Sequence, residues 1–193
     1  MVDLRLVNPE HLWYVIGLIT ADGNLSIDGR HINLTSKDRD LLESVKASMH
    51  LKNRIGMKAR ANEREKKYAV LQFGDVNFYK FLLGIGLMPR KSLVLKELQV
   101  PKEYFIDFLR GVIDGDGSIH TWVHATNGIR QWSLRIASAS PVFAKWLKLR
   151  IEDTFSVKGK IASLFFPQIL NISLNLFISR ILSLNITSHS TQN

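Results

Sequence analysis

Two short apolar segments, residues 15–23 and 109–117, carry small residues four positions apart and end in an Asp-Gly pair. In a helix, residues at i and i+4 lie on one face, so Gly17 and Ala21 of the first segment are neighbours. Faces made of small side chains let two helix backbones approach closely. The pattern therefore predicts two motif helices that pack against each other, each ending in an aspartate.

After each motif helix the pattern changes to alternating apolar and polar residues. Residues 24–27 and 31–35 flank an Asp-Gly turn, which is typical of a β-hairpin. Residues 118–123 and 131–136 repeat this arrangement around a longer loop. Each hairpin is predicted to have one apolar and one polar face. In the first hairpin, the residues expected on the apolar face are Leu25, Ile27, Ile32 and Leu34.

The rest of each half follows the same order. Amphipathic helices are predicted over residues 40–49 and 141–155, because apolar side chains recur there at helical spacing. Closing helices are predicted to begin near residues 78 and 177. The strand pairs between them are predicted near residues 53–60 and 66–74, and near residues 157–165 and 168–174.

This order makes the chain an internal duplication. The predicted fold class is α+β, with two pseudo-symmetric αββαββα repeats. We predict the first repeat over residues 1–84 and the second over residues 102–193. Residues 85–101, which contain glycine and proline, are the predicted linker.

The composition indicates a polyanionic partner. The 193 residues include 26 Lys and Arg against 17 Asp and Glu, which gives a formal charge of +9. A basic balance of this size favours nucleic acid. Because the chain has no Cys, a disulfide scaffold and a thiolate zinc site are both excluded.

The apolar segments do not predict secretion or membrane insertion. Residues 1–10 lack the apolar core of a signal peptide. Residues 161–179 are uncharged, but polar residues interrupt them, and their alternation favours a strand followed by a helix. We therefore expect an intracellular protein with no membrane partner.

Both motif helices place an acid where the helix dipole disfavours negative charge. Helix C-termini attract cations, yet Asp22 and Asp116 stand there. A divalent cation shared by the two carboxylates would compensate. The alternative is an ordinary Asp-Gly turn at each helix end. A calcium-binding loop starting at Asp114 is disfavoured, because Ile119 and Ala125 replace the required Gly and Glu.

The polar residues of the predicted strands would form surfaces able to read base edges in a DNA major groove. A solvated sheet face without a partner is the alternative. In the first half these residues are Asn24, Ser26, Arg30, His31, Asn33, Thr35, Arg54, Lys58, Arg60 and Gln72. In the second half they are Ser118, His120, Trp122, His124, Gln131, Ser133 and Arg135.

The duplicated motif, with FLRGVIDGDGS at residues 108–118, resembles the LAGLIDADG homing endonucleases, specifically the single-chain members with two motif copies. The resemblance implies that the motif helices pack at a pseudo-twofold axis and that the antiparallel sheets form a DNA-binding saddle. It also implies that Asp22 and Asp116 are catalytic residues that bind Mg²⁺ or another divalent cation. Family members place a Lys or Gln from the sheets beside the metals; Lys37, at the end of the first hairpin, is the best match, and Gln72 is the alternative.

The function that this resemblance implies is that of an intron-encoded endonuclease. Such an enzyme hydrolyses both strands of a long pseudo-palindromic double-stranded DNA target and leaves staggered ends. Since both motifs lie in one chain, a monomer without an obligate protein partner is expected. Two alternatives stay open: an RNA maturase that assists intron splicing, and a catalytically inactive DNA-binding relative.

Overall fold

The structure is a computed structural model that describes residues 2, 4–59, 65–163 and 168–173. The first half forms helices and strands in the predicted order. They are α1 (Pro9–Ala21), β1 (Asn24–Leu25), β2 (His31–Ser36), α2 (Arg39–Ser48), β3 (Ile55–Lys58), β4 (Tyr68–Gly74) and α3 (Val76–Gly84).

The second half repeats this order up to its last strand. Two short 3-10 turns, Lys91–Leu93 and Lys102–Tyr104, come between the halves. The second-half elements are α4 (Phe105–Asp116), β5 (Gly117–Val123), β6 (Arg130–Ser138), α5 (Pro141–Phe155), β7 (Gly159–Ser163) and β8 (Gln168–Ser173). The closing helix predicted near residue 177 lies outside the described residues.

The helices begin where side chains can cap their free backbone N–H groups. Asn8 accepts a hydrogen bond from Glu10 N (2.8 Å) before α1, and Asp38 accepts from Asp40 N (2.9 Å) before α2. Asp75 caps α3 by accepting from Phe78 N (2.9 Å). Before α5, Ser140 accepts from Phe143 N (3.3 Å).

The described strands form two antiparallel sheets with the same connectivity. The first has the strand order β1-β2-β4-β3, and the second has the order β5-β6-β8-β7. The repeated order is the structural counterpart of the sequence duplication. The predicted α+β class is therefore confirmed.

The apolar face of the first sheet packs on its helices. Leu25, Ile32 and Leu34 are at most 2% exposed, as the alternation predicts. The predicted inward position of Ile27 is wrong: its side chain is 75% exposed, because β1 ends at Leu25 and Ile27 lies in the turn. Phe73 of this face stacks on Phe78 of α3, with ring centroids 6.2 Å apart.

The chain divides into two compact units, one up to Asp116 and one from Gly117. The first unit contains α4, so both motif helices lie in the same unit. The second unit contains the second sheet and α5. Among the described residues, every helix is too short or too polar to cross a lipid bilayer.

Candidate functional site

The two motif helices, α1 and α4, are in backbone contact. A Cβ built on Gly17 would lie 2.1 Å from the carbonyl oxygen of Phe108, and one on Gly111 would lie 2.0 Å from that of Tyr14. Real Cβ atoms do not approach backbone this closely, so glycine is required at both positions. The close approach predicted from the small residues is confirmed.

This packing brings the ends of the two helices together. A Cβ on Gly115 would lie 2.4 Å from the Cβ of Ala21 and 3.4 Å from Oδ2 of Asp22. Asp22 is the C-cap of α1, and Asp116 is the last residue of α4. The paired motif therefore places two carboxylates at one end of the helix pair.

The two acids influence each other electrostatically. Desolvation of the Asp116 carboxyl and the negative charge of Asp22 raise the pKa of Asp116 to about 6, while the Lys91 ammonium acts in the opposite direction. Carboxylates that share a site in this way favour binding of a proton or a cation.

We call the paired carboxylates of Asp22 and Asp116 the acidic centre. Lys91 is a cation beside it. Its side chain is buried, with 7% of the residue exposed. The ammonium donates hydrogen bonds to the carbonyl oxygens of Gly23 (2.5 Å) and Ala21 (3.4 Å). Burial lowers the pKa of Lys91, whereas the charges of Asp116 and Asp22 act to raise it.

A groove of about 460 Å³ lies beside Asp22 on the polar face of the first sheet. The sheet register explains which residues meet there. Asn24 of β1 lies opposite Asn33 of β2, and Lys58 of β3 lies opposite Tyr68 of β4. The lining residues are Asp22, Asn24, Asn33, Thr35, Lys58, Tyr68 and Val70.

Asn24, Asn33, Thr35 and Lys58 are sequence-predicted site residues, and the structure brings them together with Asp22. Gln72 lies opposite Asn33 and extends the same row across the sheet. Arg54 is exposed just before β3. Arg60 lies outside the described residues.

Three other predicted residues lie at the turn of the first hairpin, at the far end of β1 from Asp22. Arg30 is exposed, and Ser26 is half-buried. His31 bonds through Nδ1 to Asp28 Oδ2, and this contact lowers the pKa of Asp28. These side chains are separated from the acidic centre by the length of the hairpin.

Lys37 follows the last residue of β2. Because β1 and β2 are antiparallel with Asn24 opposite Asn33, Lys37 lies at the Asp22 end of the hairpin. Its ammonium is 5.8 Å from the centre of the Tyr68 ring, at the edge of the groove.

The second sheet also gathers its predicted residues on one face. Ser118 lies opposite Arg135, His120 opposite Ser133, and Trp122 opposite Gln131. Most of them are accessible; Trp122, for example, is 41% exposed. Residues 118 and 120 also contact each other, with 3.2 Å between Ser118 Oγ and His120 Nε2.

Three of the predicted second-half residues, Gln131, Ser133 and His124, are less accessible than the alternation suggests. Ser133 is only 7% exposed, although Arg135, two residues along the same face of β6, is exposed. The expectation that it faces solvent is therefore wrong. His124 is half-buried after the end of β5, where its Nδ1 accepts a hydrogen bond from Thr126 N (3.4 Å).

Two polar residues of the site were not predicted from the sequence. Tyr68 lines the groove, and it shares a strand face with Val70 and Gln72, so the alternation along β4 could have identified it. Lys91 lies in the predicted linker, where neither a motif nor a periodic pattern marks it.

The acidic centre fits the divalent cation that the resemblance implies. Mg²⁺ needs few protein ligands, because it is bound through one or two carboxylates and keeps several water molecules. Asp22 and Asp116 supply two carboxylates on one side of the helix pair. Among the described residues, no cluster of three or more His, Cys, Asp or Glu side chains is arranged to hold a metal.

Comparison with known proteins gives matches of fold. Residues 9–86 match the family model of the LAGLIDADG-like domain. A sequence search among curated proteins finds no match. The N-terminal LAGLIDADG domain of DUF199/WhiA is 16% identical with a TM-score of 0.56, over 100% of this chain and 87% of that chain.

Two homing endonucleases bound to DNA are similarly close. The structure of I-DmoI with DNA and Mn is 18% identical with a TM-score of 0.58, over 90% of this chain and 97% of that one. I-LtrWI bound to its target DNA is 13% identical with a TM-score of 0.55, over 86% of this chain and 78% of that one. The resemblance seen in the two motifs is therefore confirmed: the chain has the LAGLIDADG fold, with a LAGLIDADG-like domain over residues 9–86.

Proposed function

We propose that this chain is a homing endonuclease that hydrolyses phosphodiester bonds in both strands of a specific DNA target and leaves staggered ends. The observation that supports this most directly is the pairing of Asp22 and Asp116 at one end of two helices in backbone contact. A binding surface alone needs no such pair, which helix dipoles and mutual repulsion both disfavour.

In this proposal Asp22 and Asp116 hold Mg²⁺ or another divalent cation at the scissile phosphates. The cation supplies activation of water and stabilisation of the leaving oxygen. The two carboxylates fix the position of the cation, and they must be ionised to bind it. We assign Lys37, at the Asp22 end of the first hairpin, the role of neutralising charge on the phosphate from one side only, since Ala139 occupies the matching position of the second repeat.

The polar faces of the two sheets are the proposed DNA-binding surfaces. The groove beside Asp22 combines amide and hydroxyl groups, which read base edges, with Lys58, which attracts phosphate. The second sheet offers His120, Trp122 and Arg135 on one face. We propose a long pseudo-palindromic target bound by one chain, because each repeat supplies a sheet of the same connectivity.

A second candidate is a DNA-binding relative without cleavage activity. It is favoured by the match to the N-terminal LAGLIDADG domain of DUF199/WhiA, which covers the entire chain. The RNA maturase is the third candidate function, and the experiment must distinguish it from the other two.

The deciding experiment uses a library of DNA duplexes that carry candidate intron-insertion sequences. The protein is incubated with the library and Mg²⁺, and the ends of any cut duplexes are sequenced; parallel reactions contain a chelator or a protein with both acids changed to Asn. Discrete staggered cuts that need Mg²⁺ and both acids support the endonuclease. Tight, specific DNA binding without cuts indicates the inactive relative, and tight, specific RNA binding without cuts indicates the maturase.

A further inference from the structure

Lys91 has an ordered backbone and a buried side chain in the segment between the two repeats. Its backbone is fixed on both sides by Leu87 and Leu95, which are 1% and 4% exposed. The carbonyl oxygen of Lys91 accepts a hydrogen bond from Leu95 N (2.8 Å). The lysine side chain is therefore directed into the protein by ordered backbone, although the surrounding sequence resembles a linker.

The Lys91 ammonium lies at the C-terminal end of α1. It donates hydrogen bonds to Gly23 O and Ala21 O, on either side of Asp22. Neither α1 nor α4 has a basic residue in its own last turn. A cation is stabilising at this end of a helix, and here it comes from a distant part of the chain.

Burial of an ammonium group is unfavourable unless hydrogen bonds and opposite charges compensate. Two carbonyl oxygens satisfy part of the donor capacity, and Asp22 and Asp116 both act electrostatically on the ammonium. Two carboxylates at adjacent helix ends also repel each other. One fixed cation in their field offsets both sources of instability.

We propose that Lys91 is a positioning residue, an internal counter-ion that holds Asp22 and Asp116 side by side before any divalent cation binds. The role deepens the proposed function, because it concerns the same two acids. It predicts that the acids depend on Lys91 most when no cation is present. It also predicts that Lys91 becomes dispensable when the acids lose their charge.

The test measures thermal unfolding of four proteins in chelator: the natural chain, K91M, the D22N/D116N variant, and the triple variant. Methionine keeps a long apolar side chain but removes the charge and the hydrogen bonds. We expect K91M to lower the Tm by about 5 °C or more in the natural background. In the D22N/D116N background the same change is expected to lower the Tm by less than half as much. An exposed lysine of the same segment, Lys96, gives the control K96M, which is expected to leave the Tm unchanged.

Mg²⁺ provides a second readout without DNA. A saturating concentration is expected to raise the Tm of K91M by more than it raises that of the natural chain, because the variant leaves a more negative centre. Equal Tm losses in both backgrounds, with equal Mg²⁺ effects, would show that Lys91 only caps α1, and would overturn the proposal. If K91M does not fold, a folded triple variant supports the proposal and an unfolded triple variant overturns it.

The outcome is independent of catalysis. Absence of DNA cleavage would contradict the endonuclease without changing the coupling between Lys91 and the acids. Conversely, an active enzyme with no such coupling would contradict only the role of Lys91.

Discussion

The two motif helices carry small residues at matching positions and the same Asp-Gly pair, but they differ in their surroundings. α1 is buried on most of its surface, with every residue from Val15 to Thr20 shielded from solvent. α4 has a polar edge formed by Asp107, Arg110 and Asp114. α1 ends at Ala21 with Asp22 as its cap, whereas α4 includes Asp116 and is followed at once by β5.

The acidic residues of the two helices therefore have different roles. Asp114 makes a contact between the helices, whereas Asp22 and Asp116 lie at the helix ends. The hydroxyl of Tyr14 in α1 donates to Asp114 Oδ2 in α4 (2.7 Å), and burial with this contact raises the pKa of Tyr14. The Arg110 guanidinium lies 5.5 Å from the centre of the Tyr14 ring. Asp114 therefore ties the two helices together, and Asp22 and Asp116 form the acidic centre.

The largest expected effect comes from removing either acid of this centre. D22N and D116N are each expected to slow DNA cleavage by at least about 100-fold, because a cation ligand worth several kcal/mol is lost. DNA affinity, measured by a mobility shift in Ca²⁺, is expected to change little. The matched control is D114N, which removes a carboxylate two residues away on the same helix.

D114N is expected to cleave at nearly the natural rate, with some loss of thermal stability from the missing Tyr14 contact. If D114N were as inactive as D116N, the assignment of Asp114 to interhelical contact and of Asp116 to the acidic centre would be wrong. Full activity of D22N would remove that residue from the proposed site.

A second experiment tests the helix contact that brings the acids together. G111A is expected to lower the free energy of unfolding by about 3 kcal/mol or more, because its Cβ would overlap the Tyr14 carbonyl oxygen. The measurement is urea denaturation. G84A is the control, since a Cβ at this last residue of α3 meets nothing within 4 Å. An unchanged stability of G111A would mean that the helices separate easily.

The contact between the two motif helices was predictable from sequence. The position of Lys91 beside the end of α1 was not. Helical spacing of small residues and strand alternation are local signals, and they place the end of α1, the first hairpin and α5 within a few residues of the structure; the start of α1 at Pro9 lies before the predicted segment. Lys91 has no local signal. Its position depends on the path of residues 85–101 across the end of α1, which only tertiary packing determines.

Burial within a sheet was also beyond the local pattern. Alternation assigns Ser133 correctly to the face of His120, but it does not show that Ser133 is buried while Arg135, two residues along the same face, is exposed. Likewise, Met57 and Ile55 lie on the same side of β3, yet Met57 is 44% exposed and Ile55 only 4%. Periodicity gives the face on which a side chain lies, but it does not give the exposure of that side chain.

The acidic centre also predicts a pH dependence. The folded-state pKa of Asp116 is raised to about 6, above its ordinary value of 3.8, so the folded protein retains this proton longer than the unfolded chain. Stability contributed by this group is therefore present at low pH and falls as the pH rises from about 4 to about 6. In chelator, D116N is expected to be more stable than the natural chain at pH 7, and the advantage is expected to vanish near pH 4.

Thermal unfolding of both proteins at the two pH values checks this expectation, and the comparison cancels the other carboxyl groups. Cation binding is expected to show the opposite trend, weakening as the pH falls through about 6, because a proton then competes for Asp116. A pH-independent difference between the two proteins would contradict the coupling between the acids.

The smallest expected effect concerns one cation on the polar face of the first sheet. K58A is expected to weaken DNA binding and to reduce the slope of log affinity against log salt by about 1, because one phosphate contact is lost. The control is K80A. Lys80 is an exposed lysine of α3, the helix that packs on the apolar side of the same sheet. Both changes remove one positive charge, so equal slopes for K58A and K80A would show that only net charge matters. A slope change confined to K58A would support binding of DNA in the groove beside Asp22.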